Sequence, residues 1–324
     1  MRKLGVGCYG TSGHQVLGQL VSHPRAELVA AAGVPADRIR DLFGERAGEV
    51  TLYPDLDSLL SDKRVELVSL CSPVRFDQPA EVLAVLESGR HALAEKPAAF
   101  SRADLDNLVS TAGRRGVHFR EMGGVEFTPP LPEIKELVIS GALGEIVQAW
   151  AMKSYPYHDR RSQDPRRDGG IMQAGVHAVR FICATAGLRV RKAAGFVTGK
   201  ANPVSGGRLQ MAASVALEFD TGAVGGLVIN YLNPAGLGAW GNDQLRLHGF
   251  RAMAETTDGF TRGRLVDAGG ERALATIGRK ADRTYLDYYA DFLLDGTPMP
   301  TPFEKELGFM EDSIKIMEAL YLPL

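Results

Sequence analysis

Leu4-Gly5-Val6-Gly7-Cys8-Tyr9-Gly10-Thr11-Ser12-Gly13-His14 sets a strand-like run against a cluster of glycines. A formal G-x-G-x-x-G falls on Gly5, Gly7 and Gly10, but that register leaves little strand before the turn. Moving the turn along gives Cys8-x-Gly10-x-x-Gly13, with a full strand ahead and a helical pattern, Gly13–Ser22, behind. Strand, tight turn and helix N-terminus in that order present free N–H groups to a pyrophosphate. Gly10, Thr11, Ser12 and Gly13 are therefore the expected phosphate contacts. A glycine turn with no ligand is spelled the same way. What favours binding is the position of this turn, the first in a strand–helix series.

That series runs to about Met122. Strand patterns at Leu4–Cys8, Glu27–Ala32, Val50–Tyr53, Val65–Cys71, His91–Glu95 and Val117–Arg120 alternate with helical ones. The helical patterns after the first are Ala36–Phe43, Leu56–Leu60, Pro79–Ser88 and Ala103–Arg114, the last carrying a capping signal in Ser101 and Asp104. Such alternation predicts an α/β doubly wound parallel sheet, residues 1–122, with a ligand crevice at the carboxyl ends of its strands. Beyond Gly123-Gly124 the rhythm changes. Helices at Leu131–Ser140, Ile171–Ala186, Thr284–Leu294 and Glu304–Leu320 mix with strands at Glu145–Lys153, Ala212–Phe219, Val224–Tyr231, Gln244–Gly249 and Arg264–Val266. Residues 123–324 thus read as an α+β domain with a large, open, mostly antiparallel sheet. One face of such a sheet needs a cover, which predicts a homodimer or homotetramer formed through it.

Composition narrows the function classes. A chain of 324 residues exceeds one ordinary domain, and 45% hydrophobic residues suffice for full cores. Net charge is −2, with no basic block to track phosphates, so nucleic acid is not an expected partner. Nor is a membrane, because no run approaches the roughly 18 apolar residues of a spanning helix. Cys8, Cys71 and Cys183 are isolated within apolar runs, which predicts reduced thiols, no metal site and a cytoplasmic protein.

Two features bear on the cofactor. An acid normally ends the second strand of a dinucleotide fold and holds the ribose hydroxyls. Here that strand ends Ala31-Ala32-Gly33-Val34, and the first acid is Asp37. Arg38 or Arg40 would favour a 2′-phosphate, so NAD and NADP both stand. The second feature is His91-Ala92-Leu93-Ala94-Glu95-Lys96-Pro97, which puts a charged pair straight after an apolar strand, on the crevice side. Partial desolvation there would ease proton loss from Lys96; a surface lysine at a strand end is the plainer alternative.

Glu95-Lys96-Pro97 resembles the signature tripeptide of the Gfo/Idh/MocA oxidoreductases, the family of glucose–fructose oxidoreductase and inositol dehydrogenase. Leu86–His91, Leu137–Ile146, and Asp168-Gly169-Gly170 with Gly175-Val176-His177 resemble further family segments, in order along nearly the whole chain. The resemblance implies a Rossmann domain, a C-terminal substrate domain, and hydride exchange between NAD or NADP and a sugar, cyclitol or related polyol. It implies catalytic roles for Lys96 and His177, and puts Ser72, Pro73, Glu95 and Lys96 at the cofactor. Two positions depart from the pattern. Gln173 stands where many members have an Asp four residues before the histidine, and Ser72-Pro73 is followed by Val74, with Asp77 near the expected histidine. Gln cannot take a proton at neutral pH, so its share of the catalytic set passes to His177, Lys96 or water.

Gln173, His177 and Arg180 form one polar stripe at i, i+4 and i+7 on an otherwise apolar helix. A stripe shown to water is the bland reading; a substrate face, with Arg180 taking an anionic group, is the functional one. The loop before it, Tyr155 to Arg161 and Pro165 to Asp168, is aromatic and basic, and Tyr157 and Arg167 are candidate substrate contacts in a lid. Two other functions keep the fold: an NAD-dependent glycosidase using transient oxidation, and a non-catalytic dinucleotide sensor or partner protein.

Overall fold

Leu4, Val6 and Cys8 are almost wholly enclosed on β1 (Leu4–Tyr9) because that strand runs through the middle of its sheet. The computed structural model describes residues 2–158, 161–275 and 283–321. Its first sheet is completed by β2 (Ala26–Ala32), β3 (Thr51–Tyr53), β4 (Leu67–Leu70), β5 (His91–Ala94) and β6 (Phe119–Glu121). The order is β3-β2-β1-β4-β5-β6 and every pair is parallel. This is the doubly wound Rossmann order, whose reversal between β1 and β4 opens a crevice at the strand ends. Helices α1 (Leu17–Leu20), α2 (Ala36–Phe43), α3 (Leu56–Leu60), α4 (Gln78–Glu87) and α5 (Arg102–Arg115) make the crossovers. The Ser101 hydroxyl accepts the Asp104 N–H and the Asp104 carboxylate accepts the Ser101 N–H, the capping box expected there.

The first helix is shorter than its pattern predicts. Gly13 sits at φ +135° and the His14 N–H is taken by a carboxylate, so Gly13 to Val16 stay in a loop and helix begins at Leu17.

The second sheet contains β7 (Ile146–Ser154), β8 (Val190–Thr198), β9 (Ala212–Phe219), β10 (Val224–Asn230), β11 (Gln244–Gly249), β12 (Ala252–Thr257), β13 (Arg262–Asp267) and β14 (Gly270–Ala273). Its order is β14-β13-β12-β11-β7-β10-β9-β8, antiparallel except where β7 meets β10. Helices α6 (Leu131–Ile139), α7 (Pro165–Asp168), α8 (Met172–Ala186), α9 (Tyr285–Asp295) and α10 (Phe303–Tyr321) complete the chain. On one face of this sheet Ala149, Ala151, Leu227 and Ile229 are buried. On the other, Trp150, Val224, Val228 and Phe196 stay exposed in register with one another's rows. Sequence pattern missed β8, β12 and β14. β8 is an edge strand with Arg191 and Lys192 turned to Glu218, and β12 buries Glu255 between Arg246 and Arg264, so neither spells an apolar alternation.

The chain divides into two compact units, Met1–Gly123 with Arg283–Glu306, and Gly124–Asp282 with Leu307–Leu324. The returning stretch is bound into the first unit by buried polar bonds. Arg120 pairs with Glu306 at 2.9 Å, and the Tyr289 hydroxyl donates to the Ala92 carbonyl at 3.3 Å. Among the described residues no helix is long and apolar enough to cross a membrane.

Candidate functional site

In the first unit, the turn after β1 is shaped by what glycine lacks. A Cβ on Gly10, which has φ +68°, would lie 2.1 Å from the Cys71 carbonyl oxygen. Ser12 donates its N–H to that same carbonyl at 3.1 Å, so the turn lies along the segment that carries Ser72 and Pro73. A Cβ on Gly13 would meet Cγ and Cδ of Glu95 at 2.7 Å. Gly5 and Gly7 lie inside β1, where they make room for Arg64 and Leu59, and the turn register is Cys8-x-Gly10-x-x-Gly13.

Glu95 is the hub. One carboxylate oxygen accepts the His14 N–H at 2.8 Å, the other lies 3.0 Å from His14 Nδ1, and the Lys96 ammonium is 3.6 Å away. Burial works to raise its pKa, but Lys96, His14 and Arg75 outweigh burial and hold the carboxyl well below the usual carboxylate range. Lys96 is 6% exposed, not a surface charge, and its Nζ donates to the Met122 carbonyl at 3.0 Å. Its position at the end of β5, on the crevice side, follows from strand order.

Four further side chains fix this loop, and the sequence singles out none of them. His14 and Glu95 clasp each other. Gln15 donates to the carbonyls of Tyr9, Gly10 and Ser69. Buried Arg75 reaches the Ser12 carbonyl, and buried Gln78 donates to the carbonyls of Glu95 and Pro97. Burial of long polar side chains is the only signal that marks Arg75 and Gln78, and it is visible only in the fold. The thiols of Cys8 and Cys71 are pushed up by burial and stay protonated.

The residues fit a dinucleotide. Gly10 and Gly13 add no side chain to the turn, and a Cβ on Gly33, just after β2, would lie 3.4 Å from the Gly10 nitrogen. No acid follows β2 directly; Asp37 engages Arg40 on the surface of α2. A cavity of about 640 Å³ lies elsewhere in this unit, along α5, β6 and residues 292–304, and the Arg120 on its wall is committed to Glu306.

In the second unit, α8 encloses His177 and Arg180 in protein, while Gln173 is half-buried. His177 is 8% exposed and Arg180 2%. Arg180 Nη1 lies 3.9 Å from Glu126, itself buried, and its guanidinium packs over the Phe309 ring. Gln173 accepts a hydrogen bond from Arg161 Nη1 at 2.8 Å. The Arg161 guanidinium lies 3.7 Å from the centre of the Tyr231 ring, whose hydroxyl donates to the Gly170 carbonyl. Arg161 was not a site candidate on sequence, because a basic residue in a loop is usually solvated. Of the loop residues, Tyr157 is half-buried and Arg167 exposed on α7; Asp159 and Arg160 lie outside the described residues.

Comparison with known proteins is consistent along the chain. Residues 2–121 match the family model described as oxidoreductase family, NAD-binding Rossmann fold, and residues 132–255 match the GFO/IDH/MocA C-terminal domain. A trans-1,2-dihydrobenzene-1,2-diol dehydrogenase from Bos taurus is 27% identical over 163 residues, 49% of this chain and 48% of that protein. A dTDP-3,4-didehydro-2,6-dideoxy-alpha-D-glucose 3-reductase from Streptomyces violaceoruber is 30% identical over 203 residues, 59% of this chain and 57% of that one. The chain spans about half the length of the curated relatives it matches. Among solved structures, biliverdin reductase from Synechocystis, in complex with biliverdin and NADP+, superposes with a TM-score of 0.80 at 19% identity, covering 98% of this chain and 99% of that one. At that identity the likeness is one of fold.

Proposed function

The chain belongs to the Gfo/Idh/MocA family of oxidoreductases, and from that premise we propose an NAD- or NADP-dependent enzyme that acts on the alcohol or carbonyl carbon of a sugar, cyclitol or related polyol. The observation that carries this reading is Lys96: an enclosed ammonium, held by the Met122 carbonyl and Glu95, beside the glycine turn of an NAD-binding unit. When bound, the dinucleotide supplies the acceptor or donor of hydride. Lys96, once its ammonium has released a proton to water, takes the hydroxyl proton during oxidation, and as the ammonium it returns one during reduction; His177 is the second acid–base group proposed. Gln173 holds and orients but does not titrate. Arg180, Arg167 and Tyr157 are the proposed substrate contacts, of which Arg180 already faces Glu126.

The division of labour proposed is a dinucleotide domain over 1–122 and a substrate domain over 123–324, less the Arg283–Glu306 stretch that packs with the first unit. The relatives named for a diol dehydrogenase and a sugar-nucleotide reductase support a hydroxylated substrate. The exposed row of Trp150, Val224, Val228 and Phe196 supports assembly through the second sheet. The test is Lys96→Met, assayed by dinucleotide absorbance over a panel of polyols and sugars, with folding checked by circular dichroism. Loss of general acid–base help predicts a fall of about 10³ in kcat. A rate within twofold of the parent enzyme would sink the assignment.

A further inference from the structure

Among the described residues four arginines are buried: Arg75, Arg120, Arg161 and Arg180. Arg120 and Arg180 face glutamates, and Arg75 sits in the field of Glu95. Arg161 differs. It is 7% exposed, yet its one side-chain hydrogen bond goes to the neutral amide oxygen of Gln173, and no carboxylate pairs with it among the described residues. Tyr231 offers its ring face, a contribution on the order of 2 kcal/mol for an enclosed cation and well short of a counter-charge.

The geometry of what is left over is informative. Nη1 is used by Gln173, Nε is buried with no hydrogen-bond partner, and Nη2 forms no hydrogen bond among the described residues. The uncommitted pair, Nε and Nη2, is one complete edge of the guanidinium, the edge that receives a carboxylate through two parallel bonds. Tyr231 and Gln173 lock the plane of the fork, so the edge is pre-oriented. His177 follows Gln173 by one helical turn, which puts their Cβ atoms about 5–6 Å apart. Gln173 thus ties Arg161 to the helical turn that carries His177, the basis for taking one hydroxy acid to meet both.

We infer that Arg161 is the carboxylate anchor of the substrate site, and that the substrate is a hydroxylated acid, a sugar acid or cyclitol acid, not a neutral polyol. This rests on the reading of the site given above and narrows it. A neutral residue at position 173 is then part of the specificity: an acid there would neutralise Arg161 and repel the substrate.

The experiment measures binding first and turnover second. Gluconate, galactonate and glucarate are titrated against glucitol and galactitol, at constant ionic strength, into the full chain saturated with NAD or NADP. The acids are expected to bind about 30-fold more tightly than the neutral partners, the size of a paired charged hydrogen bond. Arg161→Gln should erase that difference, Arg161→Lys should restore part of it, and Gln173→Glu should erase it from the other side. Circular dichroism and the thermal melting profile of the full chain serve as the check that each variant is folded, since Arg161 and Gln173 lie in the second unit. Equal affinity for acids and polyols in the parent protein, or a preference that survives Arg161→Gln, overturns the proposal. Acids bound through Arg161 without hydride transfer would leave the anchor standing and strike the oxidoreductase reading instead.

Discussion

Gly13→Ala tests whether Glu95 is the support on which the dinucleotide turn rests. The added Cβ would lie 2.7 Å from Cγ and Cδ of Glu95 and 3.0 Å from Oε2, where ordinary contact begins at 3.4 Å; 3.4 less 2.7 leaves about 0.7 Å to be found. Glu95 cannot yield it freely, since its carboxylate is bound to the His14 N–H at 2.8 Å and packed beside Lys96. The backbone cannot yield it either, because φ +135° is a conformation that L residues rarely hold. Strain of that kind costs roughly 1–3 kcal/mol. Loosening a charged hydrogen bond costs about 1.5–3 kcal/mol more. The total, about 2.5–6 kcal/mol, corresponds to a fall of roughly 7–18 °C in the melting transition of a unit this size. Calorimetry should show that fall, and NAD or NADP should bind at least about tenfold more weakly, because the turn shifts with Glu95. Gly18→Ala is the control. A Cβ there meets nothing within 4 Å, so inside α1 it should be neutral or stabilising by up to about 1 kcal/mol. If Gly13→Ala melted within about 2 °C of the parent and bound dinucleotide equally well, Glu95 would not be the support.

Acid sensitivity should trace in part to His91, whose pKa is lowered to about 4 by burial and by the neighbouring His118. The native state then prefers the neutral ring, so this contribution is present above the unfolded value near 6.5 and is lost as pH falls towards 4. Urea unfolding from pH 7.5 to 4.5 should show His91→Asn flattening that loss by about 2 kcal/mol, allowing for solvent screening of a partly exposed ring; parallel profiles would exclude it. For assembly, Trp150→Glu places a charge in the exposed apolar row of the second sheet and should shift the protein to monomer in sedimentation velocity. A parent protein already monomeric at tens of micromolar would dismiss that interface.

The first unit was legible because its signals are local. Short apolar runs separated by helical patterns give parallel order almost directly, and Ser101 with Asp104 announces its helix. The exception, the delayed start of α1, comes from a residue 81 positions away: Glu95 takes the His14 N–H that the helix would otherwise use. The return of Arg283–Glu306 to the first unit has the same character. Arg120 with Glu306, and Arg25 with Asp291, are pairings that no window of sequence contains. Edge and charge-bearing strands, β8 and β12, were invisible for the opposite reason: the period-two signal exists only where one face is apolar.

The site shows the limit most clearly on α8. From sequence, Gln173, His177 and Arg180 make a polar stripe, and a stripe facing water is spelled the same way as one facing a buried site. What separates the two readings is the presence of counter-groups, and these come from elsewhere: Glu126 opposite Arg180, and Arg161 opposite Gln173. A charge cannot be enclosed at such low exposure without partners, so their discovery on other segments excludes the solvated stripe. It also changes what Gln173 means. Taken alone, it reads as a lost proton acceptor and a weakened enzyme. Beside a buried guanidinium with one free edge, it is the neutral group that leaves Arg161 its charge for something else to meet.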